Sequence, residues 1–297
     1  MGDMFSDMFT FADYGELLVL VRNSLIAATL LGVVGGLISV FVVTRDIAFA
    51  VHGVSELSFA GAAFALLIAA DVVVGSMIGS VVAALLIGLL GTKAKHRNSI
   101  IGVLMPFGLG LAILFLALYQ GRAANKFGLL TGQIVAVSGE QLSLLVVCAV
   151  IVLLSLVVLW RPLMFASVDP EVAAARGVPV RALSLIFMVV LGLAVALSVQ
   201  VVGVLLVLAL LITPAAAALQ VSASPFWVPV LSVVFAVVSS LGGILLALGS
   251  PVTPISPFVT TISFVIYLIC RVIGARRMRR LASHRKARQN LRETVPA

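Results

Sequence analysis

Nine runs of mainly apolar residues, 17–43, 47–70, 72–91, 99–119, 141–160, 180–199, 203–221, 226–248 and 257–275, divide the sequence almost end to end. Each approaches or exceeds the ~20 residues an α-helix needs to cross ~30 Å of hydrocarbon, where every backbone polar group must find its partner inside the protein. The runs are continuous rather than alternating. They therefore predict helices, not barrel strands in which every second residue would be polar. The fold class is an all-α polytopic membrane protein of nine spans. It has eight if one of the pair 180–199 and 203–221, separated only by Gln200, Val201 and Val202, is a half-helix. Composition removes the soluble alternatives: 62% of the 297 residues are apolar and 10% are charged, too few charges to give a domain of this size its polar surface. Cys148 and Cys270 both lie in apolar runs; two such cysteines supply no disulfide framework and read as packing residues.

The basic residues orient the chain. With nine spans and the C-terminus inside, Arg45, Lys93, Lys95, Arg97, Arg161, Arg176, Arg181 and the tail from Arg271 fall on the cytoplasmic face, and only Arg22, Arg122 and Lys126 outside. This follows the positive-inside rule and puts the N-terminus outside. Segment 1–16, with Asp3, Asp7, Asp13 and Glu16, has neither the positive start nor the small-residue cleavage site of a signal peptide and is expected to stay attached outside the membrane. Residues 17–275 form the transmembrane domain and 276–297 a basic cytoplasmic tail. A basic cluster just past a span suits anionic lipid headgroups; nucleic-acid binding would need a folded basic domain that this tail cannot supply. No stretch matches the phosphate-cradling G-x-x-x-x-G-K-[ST] loop. If ATP drives this protein, another chain hydrolyses it.

Among the charged residues and histidines, His52 and Glu56 lie deepest inside a predicted span. Ionisable groups there cost several kcal/mol unless paired or lining a wet cavity, so a functional role is the default expectation. Their i, i+4 spacing stacks an imidazole and a carboxylate on one helix face about 5–6 Å apart at Cβ, with Ser55 beside them as an accessory polar group. Such a pair suits a borderline divalent cation first; a structural His–Glu contact and then a proton relay are the alternatives. Pro106, Pro214 and Pro229 sit in apolar runs, where each is expected to delete a backbone hydrogen bond, as a packing kink or a hinge.

Several stretches resemble one family in order. They are Gly35-Gly36-Leu37-Ile38-Ser39-Val40-Phe41-Val42-Val43-Thr44-Arg45, Ser99-Ile100-Ile101-Gly102-Val103 and Leu130-Thr131-Gly132-Gln133-Ile134-Val135-Ala136-Val137. More specific are Asp169-Pro170-Glu171-Val172-Ala173-Ala174-Ala175-Arg176-Gly177-Val178-Pro179-Val180, and the run from Gln200-Val201-Val202-Gly203-Val204-Leu205-Leu206-Val207 through Pro214 to Ala218. From about residue 20 to 275 the chain resembles the membrane permease subunit of ABC-type zinc/manganese/iron importers. The resemblance implies a bacterial cytoplasmic-membrane protein without catalytic residues or a resident cofactor. Such a permease carries zinc, manganese or iron by alternating access, with a second copy of itself, a cytoplasmic ATPase dimer and an extracytoplasmic metal-binding lipoprotein. It also implies that Asp169, Pro170, Glu171, Ala174, Ala175 and Gly177 form a segment coupling to the ATPase, and that Gln200, Gly203 and Pro214 mark a helix break or gate. The sequence departs from the pattern in one place. The family's second span reads D-x-x-S-H-A-x-x-P-G with Asp and His as ligands; here those positions hold His52 and Glu56, and Ala60 replaces the proline. Rival readings are a permease for iron chelates or cobalamin-like substrates, and a proton-coupled metal carrier.

The coupling segment carries its own helix signals. Asp169 can cap a helix that starts at Pro170, Glu171 suits its positive end, and Gly177 can end it before Pro179.

Overall fold

The computed structural model describes residues 21–91, 94–122, 126, 128–129, 137–249 and 255–293, without the side chains of 94–96, 201, 205 and 278–293. The acidic segment 1–16, the stretch 130–136 of the outer-loop motif and the last residues of the tail lie outside the described residues. The helices are α1 (Arg22–Thr44), α2 (Ala48–Leu67), α3 (Val72–Leu90), α4 (Ala94–Leu118), α5 (Gly139–Val168), α6 (Pro170–Ala175), α7 (Val180–Val202), α8 (Val207–Leu211), α9 (Thr213–Val221), α10 (Trp227–Leu248) and α11 (Ile255–Glu293). All but α6, α8 and α9 are long and apolar enough to cross a membrane, which gives eight such helices among the described residues.

The remaining predicted span, 203–221, is broken. Gly203 ends α7 at φ +80°, a conformation that a side chain resists. A single 3-10 turn, Val204–Leu206, then leads into α8, and Ile212 separates α8 from α9. The pieces nevertheless run alongside α11. The Val202 carbonyl accepts from Ser256 (3.5 Å), the Ala209 carbonyl from Ser263 (3.4 Å) and the Val221 carbonyl from the Arg277 guanidinium (2.9 Å). These contacts advance together along both segments, so 203–221 covers the same depth as residues 256–277 of α11. Among the described residues this makes nine passages, eight of them in continuous helix.

Two of the prolines correct the sequence expectation. Pro214 is the second residue of α9 and Pro229 the third of α10, positions whose N–H would have no intrahelical partner, so neither deletes a helical bond. Pro106 lies inside α4, as Pro162 does inside α5.

Packing puts α1, α2 and α7 at the centre and leaves α3, α4, α5 and α11 peripheral: 72% of the α2 span is buried against 22% of the α4 span. Lipid gives helices no hydrophobic drive toward one another, so small residues and hydroxyls carry the association. Between α1 and α10, a Cβ on Gly36 would lie 2.6 Å from the Val233 Cα, and Ser232 donates to the Gly36 carbonyl (2.6 Å) and pairs with Ser39 (2.8 Å). Between α2 and α3, Gly61, Gly75 and Gly79 bring the backbones into contact and Ser58 pairs with Ser76 (2.7 Å). Each such hydroxyl bond contributes about 0.6 kcal/mol.

Two polar cavities mark the ends of the bundle. One, of ≈ 310 Å³, gathers Thr44, Arg45, Gly91, Arg97, Ser167 and Val180; the other, of ≈ 400 Å³, gathers Leu66, Asp71, Ser138, Glu140, Gln141 and Gln200. Each draws on ends that alternate along the chain, as antiparallel passage requires. The arginines of the first fit the face that the basic residues assign to the cytoplasm.

Candidate functional site

The chain turns from α1 into α2 through Asp46, at φ +51°, and α2 begins at Ala48. His52 therefore stands just over one turn above the inner end of α2, and Glu56 one turn higher on the same face. Nε2 of His52 lies 3.6 Å from Oε1 of Glu56, longer than a good hydrogen bond. Nδ1 of His52 and Oε2 of Glu56 are buried without a hydrogen-bond partner among the described residues. The Glu56 side chain is 8% exposed and that of His52 33%, so the pair opens outward at the imidazole. Ser55 is buried beside them, its hydroxyl donated to the His52 carbonyl (2.8 Å).

Two donor atoms that share an ion at about 2.1 Å each stand about 3–3.5 Å apart. Small torsions therefore suffice to bring the imidazole and the carboxylate onto one cation. A satisfied structural pair would hydrogen-bond directly and leave no buried polar atom over; this pair does neither. Two donors are not a full shell, and no group of three or more His, Cys, Asp or Glu side chains gathers among the described residues. The backbone is held from two sides. Gly108 of α4 packs against Glu56, where a Cβ would lie 3.1 Å from the Glu56 carbonyl carbon, and Gly53 faces Ile87, Ile101 and Met105. Gly108 has no sequence signal that separates it from the many other small residues in the spans.

The segment 169–180 forms the expected short helix. The Asp169 carboxylate accepts from the Glu171 N–H (3.1 Å) and the Val172 N–H (3.0 Å), and Pro170 opens α6. At its end Gly177 takes φ +84°, its N–H donates to the Ala174 carbonyl and the Val178 N–H to the Ala173 carbonyl, both at 3.0 Å. This Schellman pattern uses carbonyls that a helix end otherwise leaves open. Ala173 is buried on the bundle, whereas Glu171, Ala174 and Ala175 are exposed.

Gln200, Gly203 and Pro214 do not meet the His52–Glu56 pair in one cluster. Gln200 donates to the Val72 carbonyl (3.1 Å) and lines the outer cavity with Asp71 and Glu140. Gly203 makes the break after α7, and Pro214 restarts the helix as α9. With no N–H, Pro214 offers nothing to the Leu210 carbonyl. Gly35 of α1 faces that carbonyl, where a Cβ would sit 3.2 Å away. The family-like glycine of the first span thus accommodates the broken one.

Comparison with known proteins adds four findings. The ABC 3 transport family matches residues 18–274. The manganese transport system membrane protein MntC of Halalkalibacterium halodurans is 31% identical over 225 residues, which cover 75% of this chain and 77% of that protein. The manganese import system permease protein ScaB of Streptococcus pneumoniae is 30% identical over 261 residues, covering 83% and 90% respectively. Of solved structures, PsaBC from Streptococcus pneumoniae in complex with Fab matches with a TM-score of 0.78 at 25% identity, over 88% of this chain and 95% of that one.

Proposed function

Since this chain belongs to the ABC 3 transport family, we propose that it forms the membrane path of an ATP-driven importer of divalent transition metal ions in the bacterial cytoplasmic membrane, with manganese as first substrate. The observation that carries the reading is the His52–Glu56 pair: one imidazole and one carboxylate inside the most buried span, each with a buried polar atom unpartnered. The names of the relatives MntC and ScaB support manganese over zinc or iron, and the mixed nitrogen–oxygen donor set accepts all three. A separate ATPase dimer hydrolyses ATP, an outer lipoprotein delivers the ion, and a second copy of the chain completes the donor shell across the face on which His52 is exposed. The outer cavity with Asp71 and Glu140 is the entrance. The basic tail rests on anionic headgroups. The chelate-permease reading is disfavoured, because an intact chelate leaves few coordination positions for His52 and Glu56.

The test is uptake by the chain assembled with its ATPase and binding protein in vesicles. ATP-dependent accumulation of manganese ahead of zinc and iron is the expected result. Uptake driven by a proton gradient without nucleotide would establish the carrier reading instead.

Coupling passes through α6 in this mechanism. Ala174 and Ala175 are small and exposed on a helix fixed at both ends, so Ala174→Arg should insert a long charged side chain into the ATPase contact without disturbing the fold. Uptake should fall about tenfold, the effect of ~1.4 kcal/mol at an interface, while membrane content stays unchanged and ATP hydrolysis continues. Unaltered uptake per ATP would remove α6 from the coupling route.

A further inference from the structure

The inner cavity holds a charge imbalance that the transport mechanism leaves unexplained. Arg45, just past the end of α1, donates through Nε to Ser167 (2.9 Å) and through Nη1 to Ser184 (3.4 Å), and its guanidinium lies 5.4 Å from the centre of the Phe187 ring. All three partners are neutral. Arg97, at the start of the α4 span, faces the same cavity, and its Nε is buried without a hydrogen-bond partner among the described residues. Burial, then the Arg97 charge, lowers the pKa of Arg45 to about 10, still well above neutral. The acid on the lining is Asp46, and among the described residues it makes no ion pair with either arginine. Two half-buried like charges beside one another, outnumbering the one carboxylate on the lining, repel, and an orphaned guanidinium nitrogen adds to the cost.

From this geometry we infer that the cavity between Arg45 and Arg97 is a binding site for a phosphate-type oxyanion, supplied by an anionic phospholipid headgroup or by free phosphate. A guanidinium fork matches phosphate oxygens bidentately, and a cavity of ≈ 310 Å³ lined by two guanidiniums has room for such a group and the charge to attract it. The lining also fits the location: Thr44, Gly91, Ser167 and Pro170 belong to the inner ends of the bundle, the depth at which basic pockets between spans take anionic headgroups. Pro170 opens α6, so an anion held here ties the α1–α2 turn and α4 to the end of α5, next to the proposed coupling helix. The site lies off the His52–Glu56 face and does not depend on which metal is carried.

The experiment compares the full chain in detergent with its Arg97→Gln variant by thermal unfolding. The probes are inorganic phosphate and the soluble short-chain lipid dihexanoyl phosphatidylglycerol. Without either probe the variant should unfold at or above the wild-type temperature, because the repulsion on Arg45 is gone. With probe the wild type should overtake it, and the variant's apparent affinity should be at least about tenfold weaker, the loss of one bidentate pair. Stabilisation by the lipid alone assigns the site to a headgroup; an equal effect of phosphate assigns it to the free anion. A chain lacking 280–297 controls for the basic tail. Stabilisation that persists in Arg97→Gln but vanishes with the tail would overturn the proposal, as would no probe response in the wild type.

Discussion

Replacing His52 or Glu56 by alanine should reduce metal uptake at least about a hundredfold while leaving the protein in the membrane at normal levels. Removing even an outer-shell partner of a metal ligand costs 10- to 100-fold in affinity, and among the described residues no third His, Cys, Asp or Glu side chain joins this pair to take over. Alanine is easier to bury than either ionisable group, so a ligand pair can be truncated without loss of fold. A structural pair behaves in the opposite way. Truncating one member would leave the other charged and alone at low dielectric, a loss of about 3–5 kcal/mol for a buried pair that would appear as misassembly. The side chains stand 3.6 Å apart and each keeps an unpartnered buried atom, so the alanine variants are what separates the two cases. The exchange His52→Asp with Glu56→His keeps one imidazole and one carboxylate on the same face in the order usual for the family. It should recover part of the uptake lost in either alanine variant, with altered preference among zinc, manganese and iron, because the carboxylate moves one turn and shortens by a methylene. Metal content of the purified complex and uptake in vesicles read both effects. Wild-type uptake in both alanine variants would dismiss the pair as ligands.

The passages were legible in the sequence because the bilayer imposes one length and one polarity on each of them. His52 and Glu56 were legible for the same reason: against an apolar background two ionisable residues at i, i+4 need no alignment to be seen. Asp169, Pro170 and Gly177 could be read because capping depends on residues within a few positions of one another, and the hydrogen bonds at α6 are those the local sequence dictates. Pro214 and Pro229 show the limit of that reading. A proline deletes a bond inside a helix but not in its first turn, and the turn that makes the difference is set by Gly203, Ile212 and packing against α1 and α11. The Arg45–Arg97 cavity was not legible at all. Arg45 and Arg97 count as topology markers in the sequence, and their common enclosure arises only when the ends of α1, α3, α4, α5 and α7 converge. The same holds for Gly108, whose value lies in the Glu56 backbone it faces.

Gly61→Leu should prevent assembly of the folded chain, whereas Gly110→Ala should leave it intact. A Cβ at Gly61 would overlap the Gly75 carbonyl, and Gly75 in turn packs on Gly61 and Ala65, with Gly79 against the Leu57 carbonyl. These neighbours are backbone atoms of two helices joined by a short turn, so no rotamer change relieves the clash; α2 and α3 must separate. Overpacking by flexible side chains costs about 1–3 kcal/mol, and forcing helix backbones apart lies at or beyond the top of that range. Separation would also break the Ser58–Ser76 hydrogen bond and move the helix that carries His52 and Glu56. Gly110 has nothing within 4 Å of its Cβ position, so the alanine there meets open space and favours helix by up to about 1 kcal/mol. The fraction of monodisperse protein in mild detergent should therefore collapse for Gly61→Leu and match wild type for Gly110→Ala. If Gly61→Leu assembles normally, the close α2–α3 approach does not hold the site, and the support of the His52–Glu56 pair would have to come from α4, through Gly108 and through Ile101 and Met105 against Gly53.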